Sequence, residues 1–80
     1  MSKAIQENKT ALIFECEETR YDFTEFFEPG EQYNGFEADG NKYVIDAEGT
    51  SWQMDNLKVY LEPGDLTSTL VSEFTWVIAL

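Results

Sequence analysis

Histidine is absent from this 80-residue chain. Without imidazole there is no Ser-His-Asp or Cys-His nucleophilic site, and most zinc sites lose a usual ligand. A single cysteine, Cys16, leaves no internal disulfide and no CxxC redox or metal pair. Basic residues are also scarce: five Lys and Arg stand against 16 acids, for a net charge of −11. Direct binding to nucleic acid depends on Lys and Arg neutralising phosphates, so that class is disfavoured. Anionic membrane surfaces repel such a chain for the same reason. Long apolar runs are missing too. The longest is Trp76 to Leu80, far short of a membrane span. The opening MSKAIQENKT lacks the apolar core of a signal peptide, so a cytoplasmic protein is expected.

Other chemistry is thinly represented. PGEQYNG lacks the Lys-Ser/Thr ending of a phosphate loop. Asp39-Gly40-Asn41 opens like a calcium loop, but Tyr43 stands at a ligand position and Val44 where glycine is needed. Carboxylate pairs could do acid–base work, yet among 16 acids some pair meets any chosen spacing by chance. So short a chain offers little room for a substrate cleft. The expectation is no enzyme, no catalytic residue, no metal and no cofactor.

Aromatics are abundant at 15%, and hydrophobics reach 42%, too much for an acidic disordered tail. The chain reads as a polar, flexible stretch over 1–9 followed by one β-rich domain over 10–80. Turn pairs fall at Pro29-Gly30, Asn34-Gly35, Asp39-Gly40, Glu48-Gly49 and Pro63-Gly64, a rhythm that suggests a meander of short strands. Thr10 to Cys16 alternates, with Leu12, Phe14 and Cys16 on one face. Thr19 to Phe23 reads as a second strand with Tyr21 and Phe23 inward. Thr24 to Glu28 reads as one helical turn capped by Thr24, placing Phe26 or Phe27 in the core. Asp39-Gly40 between Glu31–Ala38 and Lys42–Asp46 is a strong hairpin signal. Tyr43 and Ile45 share one face of that second strand, and Val44 takes the other. Ser51 to Met54 turns Trp52 and Met54 inward, Asp55 to Lys58 looks like a short helical turn, and Val59 to Leu61 is a further strand. The segment 66–80 fits a strand better than a helix, because Thr, Val, Ile, Phe and Trp dominate it. As a strand, Leu70, Phe74, Trp76, Ile78 and Leu80 share a face; as a helix, the stripe is Leu66, Leu70, Phe74, Val77 and Ile78. Trp76 is expected in the core, from its place in the alternating set.

Across residues 26–61 the succession FFEPGEQYNGF, DGNKYVID, EGTSWQM and VYLE resembles the strand and turn rhythm of small SH3-like β-barrels. The resemblance implies a mainly β fold: a small SH3-like barrel, or a strongly twisted antiparallel meander, with one or two short helical turns. It implies no function. Residues 66–80 add an element that a minimal barrel lacks.

The acids are unevenly placed, with ten of the 16 between residues 7 and 39. The stretch ECEETRYDFTEFFEPGE interleaves them with aromatics. Alternate strand positions lie about 6.8 Å apart, so carboxylates on a β surface can be spaced like phosphates. In composition and size the chain is similar to the DNA-mimicking inhibitors of phages and mobile elements. That likeness implies a protein partner with a basic nucleic-acid-binding groove, met by Glu15, Glu17, Glu18, Asp22, Glu25, Glu28 and Glu31, with Glu37 and Asp39 beside them. The second reading is a non-enzymatic interaction or assembly module, forming a homodimer through Leu70, Phe74, Trp76, Ile78 and Leu80.

Overall fold

The computed structural model of the protein describes residues 10–62 and 68–79. The expected loose segment 1–9, the Pro63-Gly64 turn and Leu80 lie outside them. Six antiparallel strands form a closed barrel in sequence order: β1 (Thr10–Thr19), β2 (Gln32–Ala38), β3 (Asn41–Ile45), β4 (Ser51–Asp55), β5 (Lys58–Tyr60) and β6 (Leu70–Ala79). Pairing of β1 with β6 closes it, from Leu12 opposite Ala79 to Thr19 opposite Ser72, with register shifts between Ile13 and Phe14 and between Cys16 and Glu18. The mainly β expectation therefore holds, with a strand at the C-terminal end.

Alternation fills the interior. Leu12, Phe14 and Cys16 from β1 meet Val44, Met54, Val59, Val71 and Phe74, all buried. The thin core is typical of so short a chain, which buries only about 60–65% of its unfolded surface. Each fully buried Leu, Val or Phe contributes about 1.5–3 kcal/mol relative to exposure.

Segment 20–31 closes one end of the barrel. The expected strand over Thr19 to Phe23 is instead the end of β1 followed by a single 3-10 turn, Tyr21–Phe23. Tyr21 points into solvent, 87% exposed, and only Phe23 packs on the core. The chain must cross the barrel mouth here, and the crossing breaks strand alternation. Thr24 Oγ1 donates to the Tyr21 carbonyl at 3.1 Å, so it closes this turn and does not cap a following helix. Phe27 is the plug: fully buried, it meets Tyr33, Trp52 and Phe74 edge-on at centroid distances of 5.3, 5.8 and 5.0 Å. Edge-to-face contacts of this kind add about 0.5–1.5 kcal/mol beyond area burial.

Two expected turns resolve differently. Asn34-Gly35 lies within β2, where Gly35 admits the ring of Phe14. Residues 55–58 form no helical turn. They make a two-residue hairpin in which Asn56 and Leu57 both have positive φ, 55° and 64°. That is the turn whose twist suits a two-residue β connection.

The β3–β4 turn is organised by Asp46, a buried carboxylate only 5% exposed. Its Oδ1 accepts the Glu48 and Thr50 amides at 2.8 and 2.9 Å, and Oδ2 accepts Trp52 Nε1–H at 2.7 Å. One side chain thus shapes the turn and orients the half-buried Trp52 against Phe23, Phe26 and Phe27.

Candidate functional site

The barrel sorts the nine singled-out acids into two groups. Glu15 and Glu17 lie on the outer face of β1, opposite the buried row of Leu12, Phe14 and Cys16. Glu18 follows a register shift in the β1–β6 pairing and sits opposite Glu73, which Lys58 flanks from the other side. Asp22, Glu25, Glu28 and Glu31 ride on the segment that closes the barrel. Glu37 and Asp39 lie elsewhere. Glu37 pairs with Thr10, five residues along β1 from Glu15, and Asp39 forms the β2–β3 turn. Five residues of strand span about 17 Å, so these two belong to the opposite end of the barrel.

The first group is held by the fold. Gly30 donates to the Cys16 carbonyl at 2.8 Å, and Cys16 donates to the Glu31 carbonyl at 2.9 Å, extending the β1–β2 pairing past Gln32. The Arg20 amide reaches the Val71 carbonyl at 2.9 Å, and that of Ala47 reaches Phe26 at 3.1 Å. Beneath Glu18 lies a compact polar cluster. Ser72 Oγ donates to the Glu18 carbonyl at 2.8 Å and lies 2.6 Å from Thr19 Oγ1, while the Cys16 thiol is 3.0 Å from Thr19 and 3.3 Å from Ser72. Cys16 is therefore a buried core thiol that helps seat the end of β1.

Among the described residues the only ion pair joins Arg20 to Asp22, at 3.1 Å. The hydrogen bond from Arg20 holds the Asp22 carboxyl below its ordinary value, and the same bond raises the Arg20 guanidinium. Both groups are well exposed, so the pair contributes little to stability. Glu17 accepts a hydrogen bond from Thr75 Oγ1 at 2.7 Å, which orients it on the wall. Glu17, Glu18 and Glu73 border a shallow depression of about 510 Å³ with Arg20 and Pro29. Among the described residues no group of three or more Cys, Asp or Glu is arranged to hold a metal ion.

The proposed C-terminal face separates. Phe74 is buried in the barrel, Leu70 is half-buried opposite Tyr60, and Ile78 pairs along the backbone with Ile13. Trp76, expected in the core, is 47% exposed. The cause is the shortness of β5. Its pairing with β6 covers only Lys58 to Tyr60, so the wall stops beside Glu73 and leaves Trp76 on a rim. Lys42 places its Nζ 5.4 Å from the Trp76 ring centroid. The two residues border a cleft of about 390 Å³ with Met54, Leu57 and Tyr60. Residue alternation missed this cleft, because it arises from a mismatch in strand lengths. The length of β6 against the three residues of β5 was the signal available.

No family model, curated protein or solved structure matches this chain. Among the described residues no helix is long and apolar enough to cross a membrane.

Proposed function

We propose that the protein is a small acidic inhibitor that occupies the basic nucleic-acid-binding groove of another protein, presenting carboxylates where that protein expects phosphates. The reading implies an origin in a phage or mobile element and action in a host cytoplasm. One observation carries it. Glu15, Glu17, Glu18, Asp22, Glu25, Glu28 and Glu31 share the β1 exterior and the closed end of the barrel, and among the described residues only Asp22 of these forms an ion pair. Their backbone is ordered by sheet pairing and by the Phe27 plug, so little conformational entropy is lost when a partner orders around them. Glu18 lies opposite Glu73 just past a register shift, so two carboxylates stand on neighbouring strands, with Lys58 on the far side of Glu73. The depression beside these two residues suits an arginine or lysine side chain.

The test is competition. The protein should displace DNA from a basic nucleic-acid-binding protein, and the displacement should weaken steeply as salt rises. Changing Glu15, Glu17, Glu18 and Glu25 to Gln with Asp22 to Asn should abolish competition while the domain stays folded by circular dichroism. A folded variant that competes as well as the parent removes this face from the mechanism.

A further inference from the structure

We infer that the open end of the barrel is a binding site for a neutral sugar, whose pyranose ring lies against Trp76. The two ends of the barrel are finished differently. Segment 20–31 crosses one end, and Phe27 fills it. At the other end β2 joins β3 through Asp39-Gly40, and β4 joins β5 through Asn56-Leu57. A two-residue turn spans one strand spacing only, so among the described residues no segment closes this end. The cleft of about 390 Å³ lies here. It is within the range of small-molecule sites, which favour the mouths of β-barrels.

The residues at this mouth are inward by strand parity but are not core-like. Val44 is buried, and Lys42, two positions along β3, emerges on the same face opposite buried Met54. Phe74 pairs with Cys16 and Trp76 with Phe14, so both turn to the interior face. A bulge at Val77 ends that regular row just beyond. Phe74 is buried, but Trp76 stands where the interior meets solvent, 47% exposed. An inward row that ends in a tryptophan and a lysine is poor core and good ligand lining.

The lining selects the ligand. Trp76 offers a flat face whose π density attracts polarised C–H and N–H groups, and the Lys42 ammonium, 5.4 Å from its centroid, already uses it. Lys42, Gln53, Asp55, Asn56 and Tyr60 add donors and acceptors around the cleft. None of these five side chains hydrogen-bonds to another residue, so all are available to a ligand. Lys42 is the one base of the lining and Asp55 the one acid, so the lining is neutral in sum. An anion meets a chain of net charge −11, and a cation meets the Lys42 ammonium. A neutral ligand escapes both. A pyranose has one apolar C–H face to lay on the indole and hydroxyls radiating from its rim toward partners on several sides. A nucleobase also stacks on indole, but it carries its hydrogen-bonding groups along the edges of one plane and leaves more of this lining unpaired. The site is separate from the acidic face and does not rest on the inhibitor reading.

Ligand-observed NMR with cellotriose, maltotriose and N,N′-diacetylchitobiose, all neutral, tests this. At least one should bind saturably, with a Kd at or below about 1 mM. Because the ligand carries no charge, the Kd should be the same at about 0.1 M and about 1 M sodium chloride, whereas displacement of DNA from a basic partner should weaken. Trp76→Ala should weaken sugar binding about tenfold or more, and Trp76→Phe, which keeps a ring, should retain most of it. Asp55→Ala changes an exposed side chain and should weaken binding too, without depending on how the barrel tolerates a change at Trp76. No saturable binding by any of the three sugars at about 10 mM overturns the inference. So does adenosine binding more tightly than every sugar, or a folded Trp76→Ala protein that binds as the parent does.

Discussion

Phe14 lays its ring against the backbone of Gly35. A Cβ at Gly35 would fall inside contact with that ring and with the Tyr43 carbonyl oxygen. Leu12 is the register partner of Gly35 and Tyr33 that of Phe14, so the ring crosses diagonally onto β2 where no side chain stands in its way. Glycine within a strand costs entropy and packing, and close approach of another group is the compensation.

Gly35→Ala should therefore destabilise the domain by about 2–3 kcal/mol, because one of the three blocking atoms, the Tyr43 carbonyl oxygen, is backbone and cannot rotate away. In a domain this small, that is a loss of about 8–24 °C in Tm. Phe14→Leu in the same background should recover part of it by shrinking the ring. If Gly35→Ala melts with the parent protein, the barrel breathes here more than its geometry allows.

The Asp46 carboxylate reinforces the backbone hydrogen bonds that close the β3–β4 turn. Asp46→Ala removes three hydrogen bonds to a buried carboxylate and should cost about 2–4 kcal/mol in urea denaturation. Asp46→Asn keeps the shape, but an amide supplies one acceptor where the site needs acceptors at both oxygens. It should cost about 1–3 kcal/mol and shift Trp52 emission. A silent Asp46→Asn would mean that the Trp52 contact contributes nothing.

Leu57 has φ of 64°, a left-handed conformation that costs a non-glycine residue about 1–2 kcal/mol. Its side chain is half-buried against the core. Backbone and packing make opposite demands here, and two substitutions separate them. Leu57→Val retains more apolar volume than Leu57→Gly but adds β-branching, which tolerates positive φ poorly. If the backbone dominates, the valine protein is the less stable of the two. The reverse order would assign the position to packing.

Burial raises the Tyr33 phenol above its ordinary 10.0. A raised folded-state value means that the stability linked to Tyr33 is fully present below about pH 10 and is lost as pH rises through the folded value. Urea melts across the alkaline range should show this decline. Tyr33→Phe removes the titration and flattens the curve. It also removes the acceptor of the Glu28 amide at 2.6 Å, lowering stability by about 0.5–1.5 kcal/mol at neutral pH. An unchanged alkaline slope in Tyr33→Phe would move its origin elsewhere.

What the sequence determined by itself was the β class, the inward row of Leu12, Phe14 and Cys16, the Asp39-Gly40 hairpin and the outward placement of Glu15 and Glu17. These depend on a period of two and on glycine's tolerance of positive φ, both local properties of a strand and a turn. Tertiary structure decided the rest. Gly35 serves a ring 21 positions earlier in the chain. Tyr21 lies outside because segment 20–31 must cross the barrel mouth. Glu37 and Asp39 part from the other acids because register sends β2 back along β1. Trp76 is exposed because β5 is too short to cover β6. Each outcome turns on which strands are neighbours and where their pairing stops. Those are non-local quantities, set when the barrel closes and carried by no single stretch of residues.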